Sequence, residues 1–333
     1  MIPVPTSREQ AHLLRLPNWL GDLILSLPAV RLYQSWLNGR TPLLVAGPAS
    51  LAPLAPLLLP GLEYLSVPAW PLAMGAELKK HNVVSAVALP HSLRVALEIL
   101  SVPYRAGFDR NLRNALLTEH RPRRTTPFGF VHVADQYLGL LEDLGLPKGT
   151  KELPAPPPSL PKPVEAPAKP YLTVFPGAAY GPAKRWDPTS FAAVIRDLVK
   201  EHSFEPILLG GPGDVESCRA VAEAYGSDLQ DFSGKTTTLD LAHWIAHASF
   251  VLCHDSGPMH LAAFLRRPGV AIFGSTEPAW TGPLGDTITV ARHKVSCSPC
   301  FLKVCPLDRR CMTRLTPEEV LSACRHRLTG MNK

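Results

Sequence analysis

Between Leu153 and Pro170 the chain carries eight prolines, in the string LPAPPPSLPKPVEAPAKP. Proline fixes φ and has no backbone N–H, so this stretch can be neither a helix interior nor a central strand. It reads as an extended, semi-rigid linker, and it cuts the 333 residues into near-equal halves. Each half alternates short apolar runs with amphipathic helical segments. In the first half the runs are HLLRL, TPLLVAG, EYLSV and VVSAVALP, with helices expected over Asp22 to Leu37 and Val131 to Leu144. In the second they are YLTVF, PILLGG, FVLCH and GVAIFG, separated by helical segments at 188–201, 214–225, 239–248 and 257–265. Continuous apolar strands alternating with helices mean parallel sheets covered on both faces. The expected architecture is therefore α/β: a Rossmann-like domain over 1–152, the linker over 153–170, and a second Rossmann-like domain over 171–333. The sheets would face each other across a cleft, with ligands at the carboxyl ends of the strands.

Composition narrows the class. At 46% hydrophobic and 19% charged residues the chain is globular in character. The opening MIPVPTSREQAH shows no apolar core of a secretory signal. Leu51 to Leu59, a markedly apolar stretch, is too short to span a bilayer and contains two prolines. A cytoplasmic location is expected. A net charge of +6 and a pI near 9.0 suit an anionic partner such as a nucleotide, a phosphorylated lipid or a membrane surface, and are equally compatible with simple solubility. No nucleic-acid partner is expected.

The second half carries an anion site. FPGAAYGPAKRW, Phe175 to Trp186, directly follows a strand. Gly177 and Gly181 permit close backbone approach, Lys184 and Arg185 add two cations, and Asp187 with Pro188 reads as the cap and first residue of the next helix. Next comes HDSGPMHLAAF, His254 to Phe264, where Asp255 or Ser256 would cap a helix starting near Gly257. The free amides of that first turn, with Ser256 and His260, make a phosphate cradle. Asp255 would turn to backbone donors or take a sugar hydroxyl. In LLGGPGDVE, Glu216 suits a ribose diol and an ordinary first-turn carboxylate equally well. Thr238 reads as the cap of the following helix. In the first half, PNWLGD puts Asp22 at a helix start, where it is either a general base for a hydroxyl or a dipole-favoured acid. Finally, Cys297, Cys300, Cys305 and Cys311 are spaced C-x2-C-x4-C-x5-C. This fits a small structural Zn²⁺ site, and equally a loop of buried thiols.

Taken in order, PNWLGD, PGAAYGPAKRW, DSGPMH and CSPC resemble the ADP-heptose:lipopolysaccharide heptosyltransferases, and within them the heptosyltransferase II branch. The resemblance runs from about Leu16 to Pro317. It implies a GT-B fold and an inverting transfer of L-glycero-D-manno-heptose from ADP-heptose to the first heptose of the lipopolysaccharide inner core, heptosyl-Kdo2-lipid A. It implies no cofactor for transfer. It makes Asp22 the general base, Lys184 the neutraliser of the leaving diphosphate, and Ser256, Gly257 and His260 its binders. Asp255 becomes an active-site residue of unassigned role. PHSLRVAL and VPYRAGFDRNLRNALL resemble the family's acceptor-side segments. They nominate Arg94, Arg105, Arg110 and Arg113, together with Asn18, for an acceptor bearing carboxylates and phosphates. Arg121 to Arg124, RPRR, would touch anionic lipid at the cytoplasmic face of the inner membrane. The chain departs from the family pattern at Pro258 and at Asp187, which separates Trp186 from Pro188. The rival readings are a related glycosyltransferase, either heptosyltransferase I-like or with another nucleotide-sugar donor, and a non-catalytic nucleotide-sugar binder. An NAD-dependent oxidoreductase is disfavoured because neither half opens on G-x-G-x-x-G.

Overall fold

The computed structural model describes residues 1–3, 9–125, 129–226 and 229–330. Residues 4–8, part of the N-terminal stretch read above as lacking a signal, lie outside the described residues. The chain divides into two compact units, Met1–Pro154 and Ala155–Lys333.

The first unit is a six-stranded parallel sheet of order β3-β2-β1-β4-β5-β6. Its strands are β1 (Ala11–Arg15), β2 (Leu43–Gly47), β3 (Glu63–Ser66), β4 (Val83–Ala88), β5 (Tyr104–Phe108) and β6 (Glu119–Arg121). In β1 and β2 every residue is buried, which is why they read as unbroken apolar runs rather than alternating ones. The helix Leu20–Leu37 follows β1. It begins two residues earlier than the sequence suggested, because Trp19 is already extended (φ −105°, ψ 142°) and the turn is complete there. Asp22 therefore stands in the first turn. Asn38 ends the helix in the left-handed region (φ 49°). Leu13, Leu44, Ala86, Val95 and Ile99 share one core under this sheet.

The second unit repeats the plan, with order β12-β11-β10-β7-β8-β9. Its strands are β7 (Tyr171–Phe175), β8 (Glu205–Leu208), β9 (Gln230–Asp231), β10 (Phe250–His254), β11 (Gly269–Phe273) and β12 (Ile288–Arg292). Asp187 caps the helix Pro188–His202 as expected, its carboxylate accepting from Ser190 N–H at 3.0 Å. The cap of the helix Thr238–His247 is Thr237 rather than Thr238, in a reciprocal box with Asp240. The run TTTLD offers three adjacent threonines, and only Thr237 stands three residues before an acid. The proline-rich stretch clusters with the second unit, and His247 Nε2 meets Leu160 O at 2.7 Å. Among the described residues no helix is long and apolar enough to cross a membrane.

Both sheets share one consequence. Strand order reverses between β1 and β4 in the first unit and between β7 and β10 in the second. Loops leaving the carboxyl ends of these paired strands part to opposite sides and leave a crevice.

Candidate active site

In the first unit that crevice is a cavity of about 610 Å³. The loop after β1 contributes Asn18 and Trp19, the first turn of the helix that follows contributes Asp22, the loop after β4 contributes His91, and the segment after β5 contributes Arg110 and Arg113. Trp19 is 66% exposed, an apolar plate beside Asp22 on which a sugar face can stack. Tyr137 also lines the cavity. Burial first, and then the nearby charge of Asp22, push its hydroxyl pKa well up, so it stays a neutral donor.

Arg113 is the unusual member. Its side chain is 2% exposed, and its Nε, Nη1 and Nη2 have no hydrogen-bond partner. A buried cation without acceptors is costly. Burial and then Arg110 bring its pKa down to about 10, so it remains charged at neutral pH. His91 is lowered to about 4, first by burial and then by Arg110, Arg123 and Arg113. Room for the guanidinium exists because Gly107 has no side chain: a Cβ there would meet Arg113 Nη2. The cavity thus joins one carboxylate, Asp22, to a positive wall that lacks its counter-charge.

Asn18 is fixed from behind. Arg15, buried at the end of β1, donates to Asn18 Oδ1 at 2.8 Å and to Glu98 at 2.7 Å. Arg94 completes this network, donating to Glu98 at 3.2 Å and to the carbonyls of Pro68 and Ala69. Arg94 therefore holds a loop and does not line the cavity. Arg105 likewise clips backbone, donating to Leu116 O at 2.7 Å and Val102 O at 2.6 Å. Of the four nominated arginines, the structure brings Arg110 and Arg113 to the cavity. In the RPRR run, Arg121 is paired with Glu119, and Arg124 with Glu142 and Asp143. These internal pairs compete with the lipid contact expected of them.

In the second unit the loops after β7 and β10 meet at Lys184. Its Nζ lies 2.5 Å from Asp255 Oδ2 and 4.8 Å from the centre of the Tyr180 ring. Asp255 also accepts from Thr276 Oγ1 at 2.6 Å. Asp255 is thus neither a helix cap nor turned to backbone donors; it orients the lysine. Lys184 needs such a partner because it is only 8% exposed. Ser256 is the cap residue of the helix Gly257–Phe264, yet its hydroxyl donates to His254 O at 3.2 Å and makes no side-chain cap. Gly257 opens that helix, and His260 sits buried in its first turn. His254 locks the lysine loop: Trp186 N–H donates to its Nε2 at 2.8 Å, and its Nδ1 bonds Gly177 O at 3.2 Å. This pattern requires the neutral ring protonated on Nδ1, and burial pushes its pKa down to about 4.

At Gly177 the Asp214 carboxylate occupies the space a Cβ would take. Glu216 is exposed on its helix, and Asp214, three residues after Gly211, accepts the Gly211 amide at 3.0 Å. Arg185 points its carbonyl at Arg309 (3.4 Å) and keeps its Nε buried without a partner. Sequence reasoning missed His91, Tyr137, Thr276 and the Arg15–Glu98 pair. The one visible signal was a charged residue, Arg15, inside an apolar strand.

The sequence profile of glycosyltransferase family 9 (heptosyltransferase) matches residues 72–310. The chain belongs to that family. It is therefore a glycosyltransferase. It is 28% identical over 331 residues to lipooligosaccharide heptosyltransferase 2 of Campylobacter jejuni, covering 95% of this chain and 97% of that one. Its fold matches the structure of ADP-heptose lipopolysaccharide heptosyltransferase II from Escherichia coli with a TM-score of 0.81, at 24% identity, over 97% of this chain and all of the other. A second Escherichia coli heptosyltransferase, solved with ADP, matches with a TM-score of 0.72 at 18% identity, over 95% and 99% of the chains. The two-unit GT-B fold expected from the sequence is thus the fold found.

Proposed function

We propose that this family 9 enzyme transfers L-glycero-D-manno-heptose from ADP-heptose to the heptose of heptosyl-Kdo2-lipid A, with inversion at the anomeric carbon. The observation that carries the acceptor assignment is the meeting of Asp22 with the unpartnered Arg113 in one cavity at the β1/β4 reversal. A hydroxyl-bearing, anionic acceptor satisfies both groups at once. Its hydroxyl gives a proton to the Asp22 carboxylate while the oxygen attacks the anomeric carbon. Arg113, with Arg110, takes a carboxylate or phosphate of the same molecule, and Trp19 carries the sugar face.

On the second unit the donor diphosphate takes the positive end of the helix Gly257–Phe264 together with Lys184. As the bond from the anomeric carbon to the diphosphate oxygen breaks, ADP leaves with the electron pair. Lys184, held by Asp255, neutralises that charge from a fixed position, so little reorganisation is needed at the moment of reaction. Because the acceptor is a lipid, the enzyme would work at the cytoplasmic surface of the inner membrane.

The test is ADP release from ADP-heptose, with heptosyl-Kdo2-lipid A or Kdo2-lipid A as acceptor, for the wild type and Asp22→Asn. Release that requires the heptosylated acceptor and disappears in Asp22→Asn, with ADP affinity retained, is the expected result. Release with Kdo2-lipid A alone would reassign the enzyme to the first heptose transfer. Unchanged turnover in Asp22→Asn would remove Asp22 as the base.

A further inference from the structure

Residues 293–309 form a long loop without helix or strand. It has little core of its own: Leu302, Val304 and Leu307 are 44%, 68% and 59% exposed. Yet it is held in one place. Lys303 O accepts from Ala183 N–H at 3.0 Å, Phe301 O accepts from Tyr180 Oη at 2.5 Å, and Ser275 O accepts from the amides of Cys300 and Phe301 at 3.1 and 2.8 Å. Gly181 has no side chain because Lys303 O lies against it. The loop therefore grips the Lys184 segment on both sides. A loop of this length without helix or strand is uncommon inside a compact unit and is usually functional where it is ordered.

Cys297, Cys300, Cys305 and Cys311 all line a single cavity of about 20 Å³, the space of one small ion or water. The other three cysteines, Cys218, Cys253 and Cys324, are buried elsewhere in the second unit, and all seven are free thiols. Leu307 N–H donates to Cys305 Sγ at 3.4 Å, which fixes that side chain at the cavity. Asp308, Arg309 and Arg310 also line the cavity, with Arg310 Nε paired to Asp308 Oδ1 at 2.9 Å and Arg309 donating to Arg185 O at 3.4 Å. The four cysteines line one cavity without being gathered round a point: among the described residues no three His, Cys, Asp or Glu side chains are grouped as a ready ligand set. A cysteine moves its sulfur by turning about a single χ1, and Cys297, exposed, has room to do so.

We propose that Cys297, Cys300, Cys305 and Cys311 close on one thiophilic divalent ion, and that this ion braces the loop that presents Lys184. Tetrahedral thiolate coordination suits Zn²⁺ and Fe²⁺ alike, so elemental analysis distinguishes them. The ion is structural: it touches no reacting atom. The ligation itself does not depend on which sugar is transferred.

The full chain, purified under reductant without chelator and then dialysed against Zn²⁺, should hold about one ion per chain, as a structural four-thiolate site does. Co²⁺ in its place should give the intense near-ultraviolet thiolate charge-transfer band of a tetrahedral site. Cys305→Ser should lose the ion. Cys297→Ser, whose exposed site tolerates the change in a folded chain, should lose it too. A folded wild type that takes up no ion, or both serine variants binding as wild type does, would overturn the site. Removal of the ion should weaken ADP binding by about 5-fold or more, the lower end of ordinary coupling between two sites. Unchanged ADP affinity in a demonstrably stripped protein would overturn the brace while leaving the metal site standing.

Discussion

Arg113→Met separates two roles that usually coincide. In the folded chain the guanidinium is buried with its three nitrogens unpartnered, and burial brings its pKa down to about 10. The sign follows directly. A base whose folded pKa is depressed destabilises the fold wherever it is charged, so the penalty is complete below pH 10 and fades as pH rises from there towards the value of a free guanidinium. At about 1.4 kcal/mol per unit, it amounts to about 3 kcal/mol at neutral pH. Methionine fills a similar volume without charge. The substitution should therefore stabilise the first unit by about 1–3 kcal/mol. For a unit of this size each kcal/mol raises the thermal midpoint by about 2–4 °C. On the proposed acceptor reading, the same substitution also removes the partner of the acceptor's anionic group. A charge-assisted hydrogen bond contributes about 1.5–3 kcal/mol, so kcat/KM for the acceptor should fall by about 10- to 150-fold, with KM for ADP-heptose unchanged. Thermal unfolding and ADP-release kinetics on the same preparation read both quantities. A destabilised variant would mean that the guanidinium already has a structural partner. A stabilised variant with unaltered acceptor kinetics would mean that Arg113 never meets the acceptor.

Three further outcomes are expected. Gly107→Ala should reproduce the acceptor defect without touching any charge, since its Cβ would meet Arg113 Nη2 and lie 3.1 Å from Ala88 O; a displacement near 1 Å can cost about 100-fold in kcat/KM. Lys184→Ala should destabilise the second unit by about 3–5 kcal/mol, because Asp255 stays buried with Thr276 as its remaining side-chain donor; in urea unfolding, Lys184→Met with Asp255→Asn should recover most of that loss while activity stays absent. His254 binds its proton at about pH 4 when folded and near 6.5 when unfolded, so its contribution to stability is intact above pH 6.5 and is lost as pH falls to 4. His12 and His91 titrate in the same sense. His254→Gln should therefore flatten the acid limb of unfolding free energy against pH by about one proton, or about 1.4 kcal/mol per pH unit, and an unchanged slope would refute the neutral bridging role.

Much of this protein was legible from its residues alone. The proline-rich break and the apolar runs fix two parallel α/β units, because a strand buried on both faces must be apolar throughout and a chain of prolines cannot enter either sheet. The Lys184 loop and the DSGPMH turn were visible because glycines, cations and helix caps act locally, within a few residues of one another. The shortest strands escaped: β6 and β9, three and two residues long, are edges made by pairing with a neighbour rather than by their own periodicity. The roles of individual charges escaped too. Arg94, Arg105 and Arg113 occupy similar basic segments, yet one joins a network with Glu98, one clips carbonyls and one is buried unpartnered in a cavity. Asp255 and Lys184 lie 71 residues apart in sequence and 2.5 Å apart in space. Local chemistry decides which element forms and where an anion can dock, because the backbone senses only its near neighbours. Which charge meets which counter-charge depends on strand order, and strand order exists only once the sheet has been assembled.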